Sequence, residues 1–300
     1  MATFREILIT TESRLEAGDL HFGHGYLDAH DEAVALVLAA EGLNPLTGSE
    51  ILDLDVSSEG LEKLQGYLRQ RLEDRLPTAY IIGYAALGAL TFWCDDRALV
   101  PRSPLMSVIH EGYSPWFYHP VPKRIVDVCC GGGSLGLLAA YHSPETSVLL
   151  LDIDNRALAL AEANRRTQAL PNTLCVQANL LATLAPESVD IILANPPYVD
   201  AEDMANLPRE FHHEPRIALA AGGDGLDLVH ELLRQAVYVL SPEGVLFLEV
   251  GNSAPALTAS YPDIAFTWLE LASGGHGVCV VSASELKASI DLTDSGSSQV

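Results

Sequence analysis

Residues 124–136 read RIVDVCCGGGSLG, and this stretch decides the fold. An apolar run ends in Asp127, three consecutive glycines follow, and a sequence suited to a helix begins at Ser134. Gly131, Gly133 and Gly136 match the pattern G-x-G-x-x-G. Glycines at such a turn let the backbone approach a ligand closely, and the helix that follows offers unpaired N–H groups. Asp152 lies 21 residues beyond Gly131, at the end of the next apolar run. A carboxylate there can accept hydrogen bonds from both hydroxyls of an adenosine ribose. Strand, glycine turn, helix and distant acid together predict a nucleotide-type cofactor. No lysine follows the glycines, so the turn is not a P-loop. On the loop alone, a nicotinamide dinucleotide stays open as the alternative cofactor.

Outward from this stretch, strand-like and helical runs alternate. Strands are expected at 124–130, 147–154, 172–180, 188–199 and 244–251, with helices at 134–142, 155–168 and 226–240 between them. Continuous apolar strands alternating with helices predict an α/β fold, a doubly wound and mostly parallel sheet covered on both faces. The last two runs, 264–272 and 277–283, are joined by SGGHG and predict an antiparallel edge. Residues 1–76 have apolar faces at helical spacing, notably 31–43 and 57–74, and predict a small helical substrate-recognition domain. Residues 77–122 read as a β-rich linker or hairpin, 123–285 as the catalytic domain and 286–300 as a polar, disordered tail.

The 300 residues carry 48% apolar side chains, enough for a sizeable core. Lys and Arg number 17 against 40 Asp and Glu, a formal charge of −23. Such a surface repels phosphate backbones, which argues against DNA binding, and it suits a basic protein partner as well as plain solubility. The five cysteines, Cys94, Cys129, Cys130, Cys175 and Cys279, form no C-x-x-C pair and no zinc-ligand spacing. With a start, MATFREILIT, that does not read as a signal peptide, they predict a reducing, cytoplasmic setting. The charge-free stretch 77–94 is broken by Gly83 and Gly88 and reads as a hairpin or buried connector, not a membrane span.

ANPPYVD, residues 194–200, closes the fourth strand of the sheet. Two prolines fix the backbone and hold Asn195 and Pro196 extended. The Asn195 side-chain oxygen and the Pro196 carbonyl can then face one way as paired acceptors, which fits an NH₂ group. Pro197 completes the rigid corner, and Tyr198 offers a ring to a flat substrate. An amide nitrogen is a poor nucleophile, and two fixed acceptors would orient it and stabilise the charge it gains.

These residues resemble a known family. Asp127 four residues before Gly131 is similar to the first motif of class I methyltransferases, which use S-adenosyl-L-methionine and fold on a seven-stranded sheet. NPPY after strand four marks the members that act on planar NH₂ groups. HEPRIALAAGGDGLDLVHELL (213–233) and FWCDDRALVPRSPL (92–105) resemble the protein N5-glutamine methyltransferases. The VPRSP form and EVGNS (249–253) are similar to the branch that acts on ribosomal protein L-three (uL3). The resemblance implies N5-methylation of a glutamine in that basic protein, with a release-factor glutamine or DNA adenine as rival acceptors. A docking factor with an idle fold is the non-enzymatic rival.

It also implies site roles. Asp127, Cys129, Cys130, Gly131, Gly132 and Gly133 would line the cofactor, Asp152 would hold its ribose, and Asn179 and Leu180 would meet its adenine. Asn195, Pro196, Pro197 and Tyr198 would hold the substrate glutamine, with Asn195 also facing the cofactor. Cys130 and Gly132 stand where relatives carry Thr and Ser, and Asn179 stands in place of Asp, a weaker acceptor. The acid that follows the linker Pro in relatives is replaced near Ser107. Arg102 is read either as a ligand-facing cation or as a surface ion pair. Glu214 is read as near the active-site loop, or as a prop for it. His212 and His213 lack a third ligand and read as solvent-facing or structural. Cys129 and Cys130 read as loop-packing residues, with no basic neighbour in sequence to activate them.

Overall fold

The computed structural model describes residues 2–119, 121–271 and 274–290. The chain opens with helices α1 (Phe4–Glu16), α2 (Ala29–Ala40) and α3 (Ser58–Leu72). Each starts where a short polar side chain can satisfy free N–H groups. Thr3 and Glu6 form a reciprocal capping box, Asp28 accepts from Asp31, and Ser57 accepts from Gly60. Their apolar stripes meet in a separate core of Phe4, Leu15, Leu36, Val37, Leu64 and Leu68.

Pro77 precedes a short helix α4 (Thr78–Ile82), which ends at Gly83 in the left-handed conformation. The chain then forms a hairpin of β1 (Tyr84–Leu87) and β2 (Leu90–Trp93). The charge-free stretch is therefore a helical turn and a hairpin. Among the described residues, no helix is long and apolar enough to cross a membrane. Helix α5 (Leu105–His110) follows, so the linker is helical as well as β.

The rest of the chain builds one sheet. Its strands are β3 (Arg124–Val128), β4 (Ser147–Asp152), β5 (Thr173–Gln177), β6 (Val189–Ala194), β7 (Leu240–Glu249), β8 (Thr267–Trp268) and β9 (Val278–Ser282). They lie in the order β5-β4-β3-β6-β7-β9-β8, parallel from β5 to β7 and antiparallel at β9 and β8. Helices α6 (Ser134–His142), α7 (Asn155–Gln168), α8 (Ala201–Asn206), α9 (Asp227–Val239), α10 (Ala254–Ser260) and α11 (Ala283–Ser289) complete the domain. One face buries Val126, Ile192 and Leu246 beneath α9 residues Leu232 and Leu233, and the other buries Ile125, Ile191 and Phe247 beneath α6 residues Leu137 and Leu138. Burial on both faces is why these strands read as continuous apolar runs.

Two sequence expectations change. The strand read at 264–272 pairs only at Thr267–Trp268, and Ala272 lies outside the described residues. The tail read from 286 begins too early, because α11 runs through Ser289 on a capping box of Ser282 and Glu285. The polar segment 291–300 lies outside the described residues.

The sheet's winding reverses between β3 and β6. Ligands in open α/β sheets bind at such a switch point, outside the carboxyl ends of the strands. Val128 pairs with Ala194, so the glycine turn and the NPPY corner leave the sheet side by side.

Candidate active site

Asp127, next to last in β3, is buried, and its Oδ2 accepts from the Gly136 N–H at 2.7 Å. Burial pushes its carboxyl up to about 7 against that hydrogen bond, and the Asp152 charge adds to the rise. Gly136 is obligatory in this packing, since a Cβ there would sit 2.9 Å from Asp127 Cβ. Cys129 turns the chain with a φ of +57°, the left-handed region that costs a side-chain-bearing residue about 1–2 kcal/mol. Such strain at the tip of a strand is common where a ligand must meet the backbone. Gly133 follows at φ +82°, where a Cβ would lie 2.8 Å from the Leu150 side chain.

Asp152 at the end of β4 accepts from the Gly131 N–H at 2.9 Å through Oδ2 and from the Asp154 N–H at 2.9 Å through Oδ1. Burial raises its pKa against those two bonds. The acid therefore fixes the glycine turn directly. Asn164 on α7 fixes it from the other side, donating to the Gly132 carbonyl at 2.9 Å and to the Trp93 carbonyl at 3.2 Å, while its Oδ1 accepts from the Trp93 N–H at 2.7 Å. One buried amide thus joins the hairpin to the cofactor-type loop.

Two cavities open at the switch point. The larger, about 310 Å³, is lined by Asp127, Cys129, Cys130, Gly132, Asn195, Pro196 and Tyr198 together with linker residues 99–103 and Glu249. The smaller, about 90 Å³, is lined by Cys129, Asp152, Asn195 and Pro197. Cys129 and Asn195 belong to both. The structure thus gathers most of the sequence-selected residues around one corner. Gly131 and Gly133 shape the turn behind it, while Asn179 is exposed outside both cavities and Leu180 packs into the core.

Tyr198 donates from its Oη to Glu249 Oε1 at 3.2 Å, and Ser103 Oγ donates to the other carboxylate oxygen. Burial raises the pKa of Glu249 against these two bonds. Burial also raises the Tyr198 phenol, which stays a donor at neutral pH. Glu249 opens the EVGNS stretch, yet sequence reasoning gave it no role, and it missed Asn164 altogether.

Arg102 and Glu214 meet each other. Both guanidinium Nη atoms donate to the two carboxylate oxygens, one at 2.7 Å, and Glu214 Oε1 also accepts from the Val100 N–H at 3.0 Å. His24 Nε2 lies 3.5 Å from Glu214 Oε2. Burial would raise the Glu214 carboxyl, but Arg102 and His24 outweigh it and hold the group at about 2. The pair is bidentate, with the carboxylate buried and the guanidinium partly exposed, unlike a surface ion pair. His213 Nε2 contacts the Asp74 carbonyl at 2.8 Å. Burial raises both Cys129 and Cys130 thiols far above neutral pH, which leaves them unreactive packing groups.

Known proteins share this chain's sequence and fold. Residues 116–226 match the family model of the methyltransferase small domain. The chain is 37% identical over 288 residues to the ribosomal protein uL3 glutamine methyltransferase of Bordetella pertussis, covering 95% of this chain and 97% of that one. It is 35% identical to the protein of the same name from Francisella tularensis, over 95% of this chain and 91% of that one. Among solved structures, the hMettl16 catalytic domain superposes with a TM-score of 0.51 over 75% of this chain and 81% of its own, at 16% identity, a likeness of fold.

Proposed function

The chain belongs to the family of ribosomal protein uL3 glutamine methyltransferases, and from that premise we propose that the corner at Asn195 transfers a methyl group to the side-chain nitrogen of a glutamine in uL3. The observation that carries this reading is the position of Asn195. It lines both cavities at once, between the glycine turn and the linker.

The enzyme uses S-adenosyl-L-methionine, which when bound supplies an electrophilic methyl group on a sulfonium. The residues present fit it. Asp127 is a buried carboxylate whose charge is costly alone, and a cationic ligand beside it removes that cost. The glycine turn leaves room for a backbone-hugging ligand, and Asp152 retains lone pairs for ribose hydroxyls. We assign the methionine part to Asp127, Cys129, Cys130 and Gly131 to Gly133, the ribose to Asp152, and the adenine side to Asn179 and Leu180.

The substrate nitrogen is an amide, with its lone pair delocalised into the carbonyl. Asn195 Oδ1 and the Pro196 carbonyl accept its two N–H groups and hold the lone pair toward the donor, and they stabilise positive charge as it develops. Pro196 and Pro197 keep those acceptors from relaxing. Tyr198, tied to Glu249, packs its ring on the flat amide. The proton lost by the nitrogen leaves from the side the two acceptors hold. We assign residues 1–76 to recognition of the basic acceptor, which the charge of −23 favours, and we assign the enzyme to the cytoplasm, where a ribosomal substrate would be met.

Labelled S-adenosyl-L-methionine offered with unmethylated uL3, a release factor and adenine-containing DNA in parallel is expected to label only uL3. Mass mapping should place one methyl on one glutamine. Label on the release factor keeps the chemistry and changes the acceptor, and label on DNA overturns the reading of the NPPY corner.

Asp127→Asn is expected to separate stability from binding. A raised carboxyl pKa means the folded state holds a proton that the unfolded state has lost. Stability then falls as pH rises from about 4 to about 7. The Asn variant keeps an acceptor for Gly136 without the charge. Urea unfolding at pH 8 should show a gain on the order of 2 kcal/mol. Calorimetry should show weaker cofactor binding. A variant that is less stable and binds normally would refute both halves.

A further inference from the structure

The wall of the larger cavity opposite the glycine turn comes from a segment that cannot hold itself. Between α8 and α9, residues 207–226 form only short 3-10 turns at Arg209–His213 and Arg216–Ala218 and one isolated bridge, Val199 to Ala220. Yet Leu207, Phe211, Ala218 and Leu219 line the cavity. The segment must be fixed from outside the sheet.

Glu210 supplies one such anchor. It is buried, and its Oε1 accepts from Arg71 Nη1 at 3.2 Å and from the His21 N–H at 3.2 Å, with Arg75 Nη1 at 3.5 Å. Arg71 is itself a fully buried cation on α3. Its Nε and Nη2 donate to the two Glu32 oxygens on α2 at 2.7 and 3.0 Å, and Nη2 also donates to the His21 carbonyl at 2.9 Å. The guanidinium is thus saturated by the helical region and turns its remaining Nη toward the cavity wall. The next residue, Phe211, lies between the ring of His24 at 4.3 Å and the Arg102 guanidinium at 5.4 Å.

We propose that Glu210 and Arg71 are positioning residues for methyl transfer, fastening the cavity wall around Phe211 to helices α2 and α3. This inference rests on the proposed function for its kinetic consequence and not for its structural one. The helical region then does more than meet the acceptor, because it also sets the shape of the pocket that receives the glutamine. A wall displaced by about 1 Å is enough to lose about 100-fold in rate when the reacting groups depend on alignment.

Glu210→Gln tests this in the full-length protein, because Arg71 stays paired with Glu32 and the helical core keeps its buried cation satisfied. Three readouts are needed. Transfer to uL3 should lose about 10- to 100-fold in kcat. Cofactor affinity by calorimetry should stay within about twofold. Amide hydrogen exchange at residues 207–219 should accelerate about tenfold or more, while β3 and β6 keep their protection. Glu210→Asp, which keeps the charge, should recover part of the kcat. Unchanged exchange in the segment, or kcat within about twofold of the wild type, overturns the proposal, as does an equal loss of kcat and cofactor affinity. If the wild type itself fails to methylate uL3, the proposed function is wrong, and the exchange comparison still decides whether Glu210 fastens the wall.

Discussion

Replacing Asn195 with alanine is expected to lower methyl transfer by about 10²- to 10³-fold while leaving cofactor affinity within a few fold, roughly what loss of one pre-organised polar group costs in an acyl-transfer site. The residue follows a largely buried strand and precedes two buried prolines, so its backbone is held without help from substrate. Truncation removes one of the two acceptors that the amide needs. The Pro196 carbonyl remains, which is why some transfer survives. The glycine turn, Asp127 and Asp152 are untouched, so the donor keeps its other contacts. Single-turnover rates at saturating cofactor, set beside calorimetric affinities, separate the two effects. A variant whose cofactor affinity falls as far as its rate would show that Asn195 serves the donor and not the acceptor amide.

Glu214→Ala should cost about 3 kcal/mol of stability, the low end of the penalty for breaking a buried ion pair, because the Arg102 left behind keeps partial solvent contact. The carboxylate serves Arg102, the Val100 N–H and His24 together, and without it Arg102 keeps, among the described residues, only the Val100 carbonyl at 3.3 Å. The same pair predicts an acid limit. With its folded pKa at about 2 against an ordinary 4.5, Glu214 binds a proton more readily when unfolded. Its contribution, about 3 kcal/mol, is complete above pH 4.5 and is lost as pH falls toward 2. Urea midpoints at pH 7 should drop sharply in the variant, and its stability should lose part of the steep pH dependence below 4.5. A variant within about 1 kcal/mol of the wild type would mean that the pair is dispensable.

The sheet was legible in the sequence because buried parallel strands leave a plain trace. RIVDV, VLLL and DIILA are apolar without alternation, and each is followed by a turn or a helix. The strand at 264–272 was legible but read too long, since only the exposed Thr267 and Trp268 pair, and with one neighbour. Helix α11 was hidden by a strand that runs straight into its cap. At the site, the glycine turn and the NPPY corner are local motifs and could be read directly. Glu210 and Arg71 could not, because 139 residues separate them and neither is unusual where it stands. Asn164 lies mid-helix and looks like any polar surface residue until its fold brings Gly132 and Trp93 to it. Arg102 and Glu214 were each noticed, but the burial of the carboxylate and the pairing of the two are properties of the assembled loop.

Asn195 and Cys129 each face both cavities. Both ligands assigned to this corner meet the same two side chains, so their affinities are linked. Whatever factor the donor adds to the acceptor's affinity, the acceptor must return to the donor, because the two affinities close one thermodynamic cycle. Once the methyl is transferred, the same two side chains face a bulkier amide and a donor without its charge, so the product pair carries its own coupling, distinct from that of the reactants.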